Sequence, residues 1–217
     1  KYFKIEGEEH LKEAYGKGKG VLCLIPHTSA WEFSAIMPAI LGYETSAVSR
    51  EIRYPALNKS IIQLRESRGM KNISRNKCYD KLIEVLNKGE CLIIMIDQDS
   101  KKIRGEFLQF FGKQAYTPLG SARLALETGA SVVPMATYRN KDNTYTFKIH
   151  EALNFIETGD REKDLILNTQ RYNDEIEKMI LAEPTQWVWM HKRWNTTPKN
   201  LKNIGKKEKR KHLIKKN

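Results

Sequence analysis

The stretch "VLCLIPHTSAWEFSA", Val21 to Ala35, carries the reading of the fold. Five apolar residues run without a break, stop at Pro26 and are followed by His27. A continuous apolar run of this length is the pattern of a strand buried on both faces, since a strand with one wet face alternates. A helix is expected directly afterwards, from about Ser29 to Leu41, with Gly42 stopping it. Strand and helix in immediate succession open a βαβ unit.

The same grammar continues outward. "CLIIMI" is a second uniformly apolar strand and closes on Asp97. "ETSAVSR" reads as a short strand ending at Arg50, and "SVVPMATYR" and "TYTFKIHEALNF" as two more. Between them, "PALNKSIIQLRESRG" places Leu57, Ile61 and Leu64 at helical spacing and ends at Gly69. "KCYDKLIEVLNKGE" sets Leu82, Val85 and Leu86 on one helical face, and "TPLGSARLALETGA" is a helix closed by Gly129. "DREKDLILNTQRYNDEIEKMILAEP" is a long helix stopped before Pro184, and the alternating "QWVWMHKRW" is expected as the last strand of the core. The mixed-charge start and the loop "GKGKG" carry no expected element. The expected fold class is therefore α/β, with a mostly parallel central sheet covered by helices on both faces.

Composition agrees with one globular unit. The chain has 217 residues, 40% hydrophobic and 29% charged, enough for one α/β domain, expected over residues 1–198. Cys23, Cys78 and Cys91 are widely spaced without a CxxC pair, which points to reduced thiols in a reducing compartment and away from zinc. No apolar run approaches the roughly 18–20 residues of a spanning helix. Charge is uneven. Residues 199–217, "KNLKNIGKKEKRKHLIKKN", hold nine Lys/Arg against one Glu and supply +8 of the chain's net +12. This stretch is read as a basic, flexible tail that is either merely solvated or suits an anionic partner: lipid headgroups, nucleic acid or an acidic carrier protein.

Chemistry is expected at the carboxyl ends of the strands, where open α/β sheets bind ligands. His27 follows one such end and Asp97 closes another. Glu32 lies five residues beyond His27, on what would be the first helical turn. A carboxylate bonded to one ring nitrogen of a histidine fixes its tautomer and leaves the other nitrogen as a general base. Against this, "SAWE" is an S-x-x-E capping box, in which Glu32 closes the helix start with Ser29. Asp97 and Asp99 in "IDQDS" admit a D-x-D metal pair or loop-capping acids. Arg50, Arg65, Arg68 and Arg75 are phosphate-binding forks or solvated surface residues. Trp187 and Trp189 would share one strand face, packed in the core or placed at a membrane interface.

Taken in order, these blocks resemble the bacterial lipid A biosynthesis acyltransferases of the lauroyl/myristoyl-transferring group, within the glycerolipid acyltransferase superfamily. The matching elements are "HTSAWE", the arginine blocks "VSRE" and "RESRG", "NKGECLIIMIDQD", "FLQFFGKQAYTPLGSARLALETGASVVP" and "PTQWVWMHKRWNT", spanning about Gly16 to Thr197. The resemblance implies a glycerol-3-phosphate-acyltransferase-like fold and transfer of a fatty acyl group from an acyl carrier protein thioester to a hydroxyl of a lipid A precursor or related glycolipid. His27 would be the general base and Glu32 the group orienting it. Arg50, Arg65 and Arg68 would bind phosphate or position substrate, with Asp97 supporting the site.

No metal and no organic cofactor is implied, and no nucleic-acid partner is expected. The implied location is the cytoplasmic face of the inner membrane, held peripherally through the basic tail or by an N-terminal anchor outside this chain. Two alternatives stay open: a lysophosphatidate-type phospholipid acyltransferase using acyl-CoA or acyl carrier protein, and a metal-dependent glycosyltransferase using Asp97 and Asp99.

Overall fold

The structure, a computed structural model, describes residues 2–75 and 78–201. The part of the basic stretch beyond Leu201 lies outside the described residues. Among the described residues, nine strands form a seven-stranded sheet and a separate two-stranded hairpin. In chain order the strands of the large sheet are β1 (Phe3–Glu6), β2 (Val21–Leu24), β3 (Thr45–Ser49), β4 (Met70–Ser74), β5 (Cys91–Ile94), β8 (Ser131–Arg139) and β9 (Tyr145–Ile149). Their spatial order is β1-β9-β8-β2-β5-β3-β4. The five strands from β8 to β4 are parallel to one another, whereas β9 runs antiparallel to β8 and pairs parallel with β1. The sheet is thus mostly parallel, as the uniformly apolar strands require.

Both faces are covered. Along β2, Leu22 and Leu24 join a core formed with α4 (Tyr79–Asn87), α5 (Gly120–Thr128) and α6 (Arg161–Ala182), while Val21, Cys23 and Ile25 join a second core with α1 (Glu8–Gly16) and α2 (Trp31–Ile40). The two-residue alternation of a strand sends its side chains to opposite layers, and here both layers are apolar. The helix α3 (Pro55–Glu66) packs against β4 and buries no residue fully. Helix ends follow ordinary chemistry. Asp160 caps α6 by accepting from the Glu162 and Lys163 N–H groups at 3.0 and 3.2 Å. Gly129 ends α5 at φ 70°, a left-handed position that favours glycine.

Four regions differ from the sequence expectation, one of them β4, a strand directly after Gly69 where no element was expected. The N-terminus forms β1 and α1, because Phe3 gains a sheet neighbour and stacks on Tyr145 at 5.3 Å, a pairing invisible to local sequence. Residues 105–118 form the hairpin of β6 (Gly105–Phe110) and β7 (Lys113–Pro118), which packs through β6 against α6. Most telling, "QWVWMHKRW" is not a strand. After a 3-10 turn at Pro184–Gln186 it makes a single bridge, Thr28 to Trp187, and continues as turns.

Side-chain bonds hold this last segment in place of a backbone ladder. Trp187 is buried and Trp189 exposed, so the two indoles do not share a buried face. Arg193, fully buried, donates to the Tyr116 carbonyl at 2.8 Å and to Thr117 Oγ1 at 2.6 Å, and its guanidinium lies over the Phe110 ring. Burial pushes its pKa down to about 10, which leaves it cationic at neutral pH.

Candidate active site

His27 lies just past the carboxyl end of β2, and Asp97 just past that of the neighbouring β5. The parallel pairing of Leu24 with Ile94 brings these two ends side by side. Asp97 Oδ1 is 2.6 Å from His27 Nδ1, and Oδ2 accepts from the His27 backbone N–H at 2.7 Å and the Trp187 indole N–H at 2.9 Å. The carbonyl of His27 accepts from the Val188 N–H at 2.9 Å, so its backbone is held on both sides. Asp97 is fully buried. Burial pushes its carboxyl up, but the His27 ring and backbone bonds, the His27 charge and the Trp187 bond more than offset this and hold it below its ordinary value. A buried carboxylate at this position makes His27 Nδ1 the protonated nitrogen and frees the Nε2 lone pair.

That lone pair faces the amide of Gln98, whose Nε2 is 2.9 Å away. The same amide nitrogen lies 3.2 and 3.3 Å from the two ring nitrogens of His191. The His191 ring meets His27 edge-on at 4.8 Å, and burial, followed by the neighbouring His27, pushes its pKa below the ordinary histidine value. A groove of about 200 Å³ opens beside this group, lined by Gln98, Asp99, Lys101, His191, Lys192 and Asn195. Trp31, from the first turn of α2, lies 5.6 Å from the His27 ring.

Glu32 sits elsewhere than expected. Its two carboxylate oxygens accept from Arg65 Nη2 at 2.5 Å and Nε at 3.1 Å, a bidentate fork that ties α2 to α3. The expected pairing of Glu32 with His27 is therefore not made, and the carboxylate that meets the His27 ring is Asp97. The capping box is not formed either: Ser29 donates to Gln186 at 3.1 Å, and the N-cap position of α2 is Ala30, with no side-chain cap. The reason is competition, since a guanidinium fork outweighs one backbone N–H for a carboxylate.

The remaining candidates separate. Arg65 also donates to Asn72 at 3.2 Å, so three of its donors are committed to protein groups. Arg50 and Arg68 are exposed, and among the described residues their side chains make no hydrogen bond or ion pair. Arg75 is exposed and reaches Ser100 at 3.5 Å. Asp99 accepts from the Thr196 N–H at 2.5 Å and Thr196 Oγ1 at 2.6 Å, so both acids of "IDQDS" have their oxygens committed to protein donors. Sequence reasoning missed Gln98 and His191. Gln98 follows directly on Asp97, and that adjacency was the one available signal.

A mostly parallel α/β sheet with a carboxylate-held histidine at the carboxyl ends of its central strands is the arrangement that this chain brings to an acyltransferase fold. The chain belongs to the bacterial lipid A biosynthesis acyltransferase family, whose family model matches residues 1–196. It is 27% identical over 185 residues to a lipid A biosynthesis acyltransferase of Haemophilus influenzae, covering 85% of this chain and 56% of the relative. It is 25% identical over 194 residues to the phosphatidylinositol mannoside acyltransferase of Mycobacterium tuberculosis, 88% of this chain and 59% of that one. A third relative, the lipid A biosynthesis palmitoleoyltransferase of Escherichia coli K12, is 25% identical over 205 residues, 91% of this chain and 63% of its own. The chain thus spans less than two thirds of the length of these relatives.

Proposed function

We propose that residues 1–198 form the catalytic unit of an O-acyltransferase that moves a fatty acyl group from an acyl carrier protein thioester to a hydroxyl of a lipid A precursor or related glycolipid. The observation that carries this reading is the line Asp97–His27–Gln98, in which the Nε2 lone pair of His27 is directed at the edge of a groove. The acceptor O–H gives its proton to His27 Nε2 as its oxygen attacks the thioester carbonyl carbon. The tetrahedral intermediate then breaks its C–S bond, and the thiolate takes the proton back from His27. Asp97 holds the ring and stabilises the imidazolium between these two transfers. A positioned base of this kind contributes about 10²–10⁴ in rate.

Glu32 acts through Arg65, tying α2 to α3, and not through His27. Arg50 and Arg68 remain as cations for a phosphate-bearing substrate, and Lys101 and Lys192 add positive charge at the groove. Relatives named for lipid A and for phosphatidylinositol mannoside support a glycolipid acceptor. The place of action is the cytoplasmic face of the inner membrane. There residues 199–217 would add about 1 kcal/mol of attraction per basic side chain near an anionic surface. Among the described residues no helix is long and apolar enough to cross a membrane.

The test uses full-length protein with labelled lauroyl-acyl carrier protein or lauroyl-CoA, and a lipid A precursor or lysophosphatidate as acceptor. The expected result is transfer from the carrier-protein thioester to the glycolipid without added divalent metal, lost at least about 100-fold in His27→Ala. Near-full activity of His27→Ala contradicts the proposal. Strict metal dependence favours the glycosyltransferase, and preference for lysophosphatidate favours the phospholipid enzyme.

A further inference from the structure

The acyl-transfer reading needs a donor for the negative charge that develops on the thioester carbonyl oxygen, and the described contacts of His27 and Asp97 supply none. Both oxygens of Asp97 accept, and His27 uses Nδ1–H on Asp97. The nearest neutral donor is the Gln98 amide. It stands 2.9 Å from His27 Nε2, where the acceptor hydroxyl must sit to lose its proton. It also lines the groove, and the His191 ring lies against its other side at 3.2 and 3.3 Å. Gln98 and Asp97 are consecutive residues, so the groups addressing the two ring nitrogens of His27 share one backbone anchor at the end of β5.

We propose that Gln98 is a catalytic residue of this site: its side-chain N–H caps the His27 base in the free protein and hydrogen-bonds the oxyanion of the tetrahedral intermediate when substrate is bound, while His191 holds it in place. The inference rests on the acyl-transfer reading above. As the acceptor hydroxyl takes over the lone pair of His27, the displaced N–H of Gln98 is left beside the carbon under attack. The new C–O bond forms, the carbonyl π pair moves onto oxygen, and the amide meets that oxygen with a hydrogen bond. Collapse of the intermediate returns the pair to the carbonyl and expels the thiolate, which is protonated by His27. Gln98 itself neither gains nor loses a proton. A neutral donor aimed at developing charge in a water-poor site typically accounts for about 10²–10³ in kcat.

The experiment compares Gln98→Met, which keeps the length of the side chain but has no N–H donor, with Gln98→Ala, which only removes atoms from the groove. Both are assayed in the full-length protein with lauroyl-acyl carrier protein and a lipid A precursor, beside His27→Ala. The expected result is a fall in kcat of about 10²–10³ in both Gln98 variants, with KM within about threefold. Melting temperature and the acid limb of the pH–rate profile should stay where they are in the wild type.

Activity within about threefold of wild type overturns the proposal. So does a loss accounted for by a displaced acid limb, which would make Gln98 a group that sets the basicity of His27. If His27→Ala is itself active, the acyl-transfer reading fails, and that outcome is distinct from the failure of Gln98 alone.

Discussion

Asp97 Oδ1 lies 2.6 Å from His27 Nδ1 although the two residues are 70 apart in sequence, while Glu32, five residues from His27, gives its carboxylate to Arg65. The carboxylate close in sequence is not the one close in space. The parallel pairing of β2 with β5 places the ends of both strands together, and the turn into α2 points Glu32 towards α3.

Asp97→Asn should lower kcat by about 10³–10⁴, because an amide at this position no longer enforces the Nδ1–H tautomer. Glu32→Gln should cost far less in kcat and show more of its effect in KM, since Arg65 keeps one acceptor. Steady-state kinetics of the two variants with one donor and acceptor pair check this. Equal losses in kcat would contradict the assignment.

Acid stability should carry the mark of Asp97. Its folded pKa lies below the ordinary carboxyl value, so the native state binds fewer protons than the unfolded chain as pH falls towards the acid range. The contribution is fully present above the unfolded value of about 3.9 and is lost as pH drops through the lowered folded value. The stability difference between wild type and Asp97→Asn, read from urea midpoints, should therefore shrink from pH 6 towards pH 3. A difference that is constant with pH would assign the effect to packing.

The Glu32–Arg65 fork should show in a double-mutant cycle of Glu32→Gln and Arg65→Met. Arg65 is largely buried and Glu32 is 42% exposed, so solvent screens the pair, and the bidentate geometry restores part of what screening removes. A coupling of about 1 kcal/mol is expected in urea denaturation, weakening modestly with salt. No coupling would mean that the fork does not tie α2 to α3.

Arg193→Met should destabilise the fold by about 2–4 kcal/mol, since it removes the guanidinium bond to the buried Tyr116 carbonyl and leaves Thr117 Oγ1 with Asn173 Nδ2 as its remaining donor. It should also detach Trp187 and His191 from the site, and activity should fall further than the stability loss explains. Chemical denaturation and the acyl-transfer assay together check this, and a loss under about 1 kcal/mol would contradict the anchoring role.

The sheet was legible because "VLCLI" and "CLIIMI" state in local sequence that both faces are covered, and the helices announce their ends at Gly129 and Pro184. The N-terminal β1 was not legible, since Phe3 becomes a strand residue only through its register with Tyr145. In "QWVWMHKRW" alternation misled: Trp187, Trp189 and Arg193 alternate because each meets a different hydrogen-bond partner, not because a ladder spaces them. At the site, His27 and Asp97 were both visible as strand-end residues. Which acid would reach the ring was decided by strand order, and strand order is a property of the whole chain.

The most direct test of the central claim is the tautomer of His27, read by nitrogen-15 NMR of ring-labelled protein at neutral pH. The account predicts a protonated Nδ1 and a bare Nε2 in the wild type and in Glu32→Gln, with the pattern lost in Asp97→Asn. A tautomer that survives Asp97→Asn and is lost in Glu32→Gln would contradict it.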